Sequence, residues 1–341
     1  MTAAMRRAML GRRVFTGGLL AAPSILSRVT GSAAAEPQTL RIMVQNPIIQ
    51  TDYLHLISER TGIFVRHGIK AEFTSSTSPI LPLLSGDVDI TSIGSSAGLV
   101  AIVRKQDFEF VAATVPHSTI ALLTRPDSPL TKTAHRWPDS FTQLKGKTLG
   151  VTVAGAQIDL TARWIALLAG LTPDQDITVQ AAGDATTLLG GLEKGVYDAG
   201  LVPSPLFELA EARNVAVSIL DFYKGEGPKE LWLLPYAAPA ARKTYADKNP
   251  EIINKYIASV QEASDMARDP ANRDRIIGII AQELKVDPAK LDAAMDTFIR
   301  AIGSVKFSRE QWDTAIAMMK ANGIVKQDYA YETNVFAGAR V

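Results

Sequence analysis

The sequence of 341 residues has no cysteine, only four histidines and an aromatic content of 7%. Without cysteine the chain can have no disulfide framework, no thiolate nucleophile, no cysteine-based metal site and no lipidated cysteine behind an export signal. It also has no excess of charge, since 36 basic residues face 35 acidic ones. What remains is the composition of a folded globular protein, 47% hydrophobic and 21% charged, with room for two domains.

The first 35 residues lack acidic side chains and lack a hydrophobic run long enough to span a bilayer. A basic stretch is followed by the broken apolar segment VFTGGLLAAPSIL and then by small residues before Glu36, which is the order of a secretory leader. The stretch RRVF resembles a twin-arginine export signal; a general secretory leader with a chance arginine pair is the alternative. The five arginines of this segment are Arg6, Arg7, Arg12, Arg13 and Arg28.

Cleavage near Ala35 would leave 31 basic and 35 acidic residues, a net charge of −4. A negative protein is a poor partner for nucleic acid, whose binding depends on clustered positive charge. The sequence therefore predicts an exported protein of the periplasm that is soluble and not lipidated, and that has no nucleic-acid partner.

Two pairs of segments repeat at the same separation of 109 residues. TLRIMVQNPIIQTDYLHLISERTGI begins at Thr39 and TLGVTVAGAQIDLTARWIALLAGLT at Thr148, each with the pattern of a strand, a loop and a helix. In the second pair, Gly86 precedes Asp89 and Gly195 precedes Asp198 by three residues, which predicts a helix, a glycine cap and a strand near each aspartate. The matched aspartates are expected to be structural.

Beyond residue 241 the pattern is helical, with Asp287 before Pro288 as a helix start. Ser308 with Gln311 predicts a capping box, and Gly323 predicts the end of that helix. We expect this C-terminal part to pack back on the first half of the chain.

The order of these motifs resembles a known family. G-I-x-x-x-x-G-I at Gly62 to Ile69, the L-x-x-G-x-x-D element at Leu83 to Asp89 and FTQLKGKTLGV before the second half are similar to the nitrate, taurine and alkanesulfonate substrate-binding proteins of ABC importers. The resemblance covers residues 40 to 300 and implies an α/β, type II periplasmic-binding-protein fold, with two α/β lobes, a hinge and a ligand cleft between them. Hinge crossovers are expected near residues 122–125 and 232–237.

The resemblance also implies an organisation and a function. Residues 1–35 would form the export signal, residues 39–123 plus 236–341 lobe 1, and residues 124–235 lobe 2. The protein would be a monomer that captures a small anion or polar organic molecule (sulfonate, nitrate, carboxylate) by lobe closure and delivers it to ABC permease membrane subunits. It would need no cofactor and catalyse no reaction. The branch of this superfamily that handles the pyrimidine precursor of thiamine uses a cysteine-rich motif, which this chain lacks.

Loops that lead from strand ends into helix starts suit an anion, because they present unpaired backbone N–H groups and the positive end of a helix dipole. Four loops meet this description, residues 45–50, 94–96, 154–158 and 203–205. The predicted ligand-binding residues are Gln45, Asn46, Gln50, Gly94, Ser95, Ser96, His117, Gly155, Ala156, Gln157, Asp184, Pro203 and Ser204. The alternatives are a solvated turn for Gln45 and Asn46, helix capping for the serines and Asp184, and an exposed loop for His117.

The stretch GSSAG, from Gly94 to Gly98, also matches the G-x-S-x-G elbow of α/β-hydrolases, in which Ser96 would be the nucleophile. Hydrolase order then requires an acid and a later histidine, but the last histidine is His135, only 39 residues further on. A transcription regulator is a third alternative, which needs a DNA-binding helix-turn-helix where this chain has its leader.

The four histidines have neither an i,i+4 pair nor a carboxylate cluster nearby, so no metal site is expected. The sequence favours a binding protein.

Overall fold

The structure is a computed structural model, and it describes residues 36–45, 48–76 and 80–341. The expected export signal in residues 1–35 and the predicted ligand residue Asn46 lie outside the described residues. Within the described part, none of the helices is both long enough and apolar enough to cross a membrane.

Between Gln38 and Ala241 strands are interspersed with helices, and the described residues after Ala241 form helices alone. The strands are β1 Gln38–Gln45, β2 Ile69–Ser76, β3 Ile90–Thr91, β4 Glu109–Phe110, β5 Ile120–Thr124, β6 Thr148–Val151, β7 Thr178–Ala181, β8 Ala199–Pro203, β9 Val217–Asp221 and β10 Ala240–Ala241. The helices are α1 Tyr53–Arg60, α2 Ile63–Arg66, α3 Ile80–Ser85, α4 Ser95–Val103, α5 Asp139–Thr142, α6 Gln157–Leu168, α7 Ala185–Glu193, α8 Leu206–Ala212, α9 Lys229–Leu233, α10 Lys243–Lys248, α11 Pro250–Arg268, α12 Arg273–Leu284, α13 Asp292–Ala301, α14 Arg309–Ala321 and α15 Tyr331–Asn334.

The strands form two five-stranded sheets with matching order. The first sheet has the order β2-β1-β3-β10-β4 and the second β7-β6-β8-β5-β9. In each sheet the fourth strand runs antiparallel to its neighbours and comes from a crossing segment, β10 in the first sheet and β5 in the second. The predicted α/β fold with two lobes is confirmed. The predicted lobe boundary at residues 123 and 124 falls inside β5, all of whose residues pair in the second sheet.

The repeated sequence motifs have matching structural roles. Asp89 accepts a hydrogen bond from the backbone N–H of Arg41 at 3.0 Å, and Asp198 accepts one from the backbone N–H of Thr148 at 2.9 Å. Asp89 thus joins the start of β3 to β1, and Asp198 joins the start of β8 to β6. Both aspartates have the structural role expected of them.

The repeat extends to two glycines that close the helices before the central strands. Gly86 and Gly195 have φ values of +89° and +72°, which favour glycine. At each one a β-carbon would overlap an arginine guanidinium, that of Arg242 after β10 and that of Arg125 after β5. The two halves therefore share the same close packing against their crossing strand.

The C-terminal helices join both lobes. The capping box of Ser308 and Gln311 is confirmed at the start of α14, and Gly323 follows that helix with φ of +70°. Helix α11 packs on α1 and α2 as expected, but α14 packs on α4, which follows β3, and on α6, which follows β6. The expectation that this segment packs on the first lobe was therefore incomplete, because α14 also contacts the second.

Candidate ligand-binding site

All four predicted loops meet where the two lobes face each other, and they form two hydrogen-bonded pairs. The Gln50 side-chain amide, after β1, donates to Ser204 Oγ, after β8, at 2.5 Å. The backbone N–H of Ser96, after β3, donates to Gln157 Oε1, at the start of α6, at 2.9 Å. Residues far apart in the sequence and in different sheets thus make direct contacts across the cleft.

The GSSAG loop also contacts the second expected crossover, residues 232–237. Ser95 Oγ donates to the backbone carbonyl of Pro235 at 2.6 Å and lies 3.4 Å from Gln157 Oε1. It does not cap α4 with its side chain. A β-carbon at Gly94 would lie 3.3 Å from the Gln157 β-carbon, so the glycine permits the close approach of the two lobes.

The unpaired backbone donors expected of these loops are occupied by the protein itself. The N–H of Gln45 faces an oxygen of Asp52 at 3.3 Å, and the N–H of Gly155 donates to Asp159 at 2.7 Å. The N–H of Ser96 is taken by Gln157. The expectation of free donors is wrong at these three positions, because protein side chains supply the acceptors that an anion would otherwise provide. Asp52 and Asp159 lie at the start of the helix that follows their loop, whereas Gln157 comes from the opposite lobe.

Ser204 leads to a buried acid that the sequence reasoning missed. Its Oγ donates to Glu208 Oε1 at 2.7 Å, and the Glu208 residue is 6% exposed. Burial raises the pKa of Glu208 to about 7, against the opposing effect of hydrogen bonds from Ser204 and Thr297. One signal was available: in the 109-residue repeat, position 208 corresponds to Leu99, a buried leucine, so the second half has an acid at a core position.

Several buried polar atoms around these pairs have no hydrogen-bond partner within the described residues. They are Gln50 Oε1, Tyr53 Oη, Thr119 Oγ1, Gln157 Nε2 and Glu208 Oε2. Buried polar atoms are usually paired, so a group of this size where two lobes meet indicates a site for a polar ligand. Four of the five atoms are oxygens, and the hydroxyls of Tyr53 and Thr119 can donate as well as accept.

Two further buried ionisable groups lie beside the site, Asp52 at the N-cap of α1 and His55 within that helix. Burial raises the pKa of Asp52 to about 7 and lowers the pKa of His55 to about 4. His55 Nε2 lies 2.6 Å from the Tyr256 hydroxyl. The contact of His55 with Tyr256 links α1 to α11.

The remaining predicted residues take other positions. Asp184 is exposed and caps α7 by accepting from the backbone N–H of Thr187 at 2.8 Å. His117 is half-buried and stacks on Trp232 with ring centroids 4.1 Å apart, while its Nδ1 lies 2.6 Å from the Trp232 carbonyl. Burial lowers the pKa of His117. The last two, Ala156 and Pro203, are the N-cap of α6 and the final residue of β8.

The histidines have partners other than the serines of GSSAG. The partners are Tyr256 for His55, Glu262 for His67, the Trp232 carbonyl for His117 and Glu226 for His135. No described contact therefore gives Ser96 the imidazole base that a serine hydrolase needs.

The expectation that no carboxylate cluster lies near a histidine is wrong for His135. His67 pairs with Glu262, and the fold brings Asp221 and Glu226 to His135, with ligand atoms within 4.8 Å of one another. Lys224 Nζ lies 2.6 Å from Asp221 in that cluster and partly neutralises it.

Comparison with known proteins gives a family match over residues 54–242, to the "ABC transporter, phosphonate, periplasmic substrate-binding protein" family, which is just over half of the chain. The nitrate/nitrite binding protein of Synechococcus elongatus is 30% identical over 141 residues, 40% of this chain and 30% of that protein. A binding protein of Brucella abortus is 25% identical over 239 residues, 69% of each chain.

Solved structures give the same fold. The periplasmic aliphatic sulphonate binding protein of Escherichia coli superposes with a TM-score of 0.69 at 17% identity, covering 89% of this chain and 99% of that one. The alkanesulfonate-binding protein of Xanthomonas axonopodis, bound to MOPS, gives a TM-score of 0.68 at 18% identity, covering 90% and 100%. At these identities the likeness shows the fold alone.

Proposed function

Because this chain belongs to the periplasmic substrate-binding protein family of ABC transporters, we propose that it captures a small polar molecule between its lobes and delivers it to the membrane subunits of an importer. The observation that carries the proposal is the pair of cross-lobe contacts, Gln50 with Ser204 and Ser96 with Gln157, beside buried polar atoms that have no partner.

In this proposal the first crossing comes before β5, because all of β5 pairs in the second sheet. Lobe 1 then comprises residues 39–119 and 236–341, and lobe 2 comprises residues 120–235. Each cross-lobe pair takes one member from each lobe, so the contacts form only when the lobes are closed. A ligand that binds both faces stabilises the closed form, and closure reports occupancy to the permease.

The test is a thermal-shift and calorimetric screen of the purified protein against sulfonates, nitrate, carboxylates and their amino derivatives. A ligand that binds the native state raises the apparent melting temperature, and small-angle scattering should show a smaller radius of gyration. Gln50→Ala and Gln157→Ala should weaken binding, whereas Glu193→Gln, at the exposed end of α7, should not. Turnover of a bound ester that depends on Ser96 would contradict the proposal.

We also propose that residues 1–35 direct export of a monomer to the periplasm. Replacing Arg12 and Arg13 together by lysine should leave the uncleaved precursor in the cytoplasm if the twin-arginine route is used. Normal export of that variant would favour the general secretory route, and retention of the unaltered protein in the cytoplasm would contradict export.

A further inference from the structure

We propose that the ligand carries a protonated amine, and that Gln50, Tyr53 and Glu208 hold it through three oxygen atoms. This inference rests on the proposed function and names the chemical class of ligand for that site.

Three of the five unpartnered atoms are oxygens that can accept from an ammonium group. Gln50 Oε1, Tyr53 Oη and Glu208 Oε2 are buried oxygens without a hydrogen-bond partner, and their residues are 1%, 2% and 6% exposed. An ammonium group has three N–H donors and no acceptor. A hydrogen bond to a carboxylate is the stronger, charge-assisted kind, so Glu208 would provide most of the attraction.

The three residues belong to one cluster. Ser204 Oγ accepts from the Gln50 amide at 2.5 Å and donates to Glu208 Oε1 at 2.7 Å, so one hydroxyl links the amide and the carboxyl. The Tyr53 ring packs on Phe298 of α13 with centroids 5.2 Å apart, and the Gln50 amide lies 3.4 Å from the Ala294 carbonyl of the same helix. Burial, and after it the charge of Glu208, raises the pKa of Tyr53. Tyr53 comes from lobe 1 and Glu208 from lobe 2, so an ammonium between them would hold the lobes closed.

The charges around Glu208 disfavour binding of an anion that has no positive group. The groups that act most on Glu208 are hydroxyl and backbone hydrogen bonds and a second carboxyl, Glu211, with no lysine or arginine among the described contributors. Three backbone N–H groups that could bind an anion already donate to Asp52, Asp159 and Gln157. A buried carboxylate without a counter-charge is costly, and a cationic ligand group supplies that counter-charge.

The experiment compares pairs of compounds that differ only in the amine. The pairs are propane-1-sulfonate with 3-aminopropane-1-sulfonate, butanoate with 4-aminobutanoate, and propan-1-ol with propan-1-amine, with nitrate and methylphosphonate as anions without nitrogen–hydrogen donors. Affinity is measured by calorimetry with the unaltered protein, Glu208→Gln and the exposed control Glu193→Gln. We expect the amino member of at least one pair to bind at least ~10-fold more tightly than its partner, as the loss of one charge-assisted contact predicts.

Glu208→Gln should remove that preference, and Glu193→Gln should keep it. The proposal is overturned if members without the amine bind as tightly as or more tightly than their partners, or if nitrate or methylphosphonate is preferred. Those outcomes leave the capture function intact, because a ligand still binds. Absence of binding by every compound would count against both proposals. The preference in the unaltered protein is itself a test, so the result does not depend on the folding of Glu208→Gln.

Discussion

Glu208→Gln should stabilise the protein at alkaline pH. In the natural protein the buried Glu208 carboxyl is ionised at that pH, and this ionisation lowers the free energy of unfolding. Burial raises the pKa of Glu208 from 4.5 to about 7. For an acid whose pKa is higher in the folded state, the stabilising contribution is complete below the unfolded pKa and is lost as the pH rises through the folded pKa. At pH 8.5 this effect lowers the free energy of unfolding by about 3 kcal/mol. Glutamine resembles the neutral carboxyl and does not ionise, so it keeps that contribution.

The assay is denaturant unfolding at pH 8.5, 7 and 4.5. We expect Glu208→Gln to raise the free energy of unfolding by about 2–3 kcal/mol at pH 8.5, after allowing about 1 kcal/mol for an altered hydrogen bond to Ser204. The gain should shrink through pH 7 and vanish near pH 4.5, where the natural carboxyl becomes largely neutral. Glu193→Gln should change stability by less than about 0.5 kcal/mol at each pH. A variant no more stable than the natural protein at pH 8.5, or a gain independent of pH, would refute the reasoning.

Three further predictions concern the cleft and the packing. Gln157→Ala removes the acceptor of the Ser96 N–H and should lower ligand affinity by about 10-fold in calorimetry. Asp184→Ala removes the cap of α7 and should reduce the free energy of unfolding by about 1 kcal/mol without changing that affinity; a large loss of affinity would return Asp184 to the site. Gly98→Ala should destabilise by about 1–3 kcal/mol, because its β-carbon would overlap the Phe110 ring, whereas Gly190→Ala, in α7 with open space around it, should stabilise by about 0.5–1 kcal/mol in the same denaturation assay.

The repeat in the sequence was sufficient to predict the architecture because it rests on local patterns. β-Branched runs, glycine caps and the two aspartates recur at a fixed separation, and the strands they predict take matching places in the two sheets. The capping box at Ser308 is equally local, since its two residues lie three positions apart.

The chemistry of the site was less predictable because it depends on partners distant in sequence. Gln50 and Ser204 are 154 residues apart, and nothing in either loop indicates the other. Whether a backbone N–H is free depends on which side chain reaches it, as at Gly155, whose donor is taken by Asp159. Glu208 has the local sequence pattern of an ordinary helical acid, and only its alignment with Leu99 in the repeat indicates that it is buried.

The placement of α14 limits how the cleft can open. Asn322, just after this helix, donates to the Leu160 carbonyl of α6 at 3.1 Å, and Gln311 within it donates to the Pro116 carbonyl at 3.0 Å. The helix therefore connects both sides of the proposed hinge, and in the proposed lobe motion wide opening would strain or break one of its two attachments. The population of the open form, and with it the apparent affinity for any ligand, can then be tuned by substitutions on α14 that never touch the ligand.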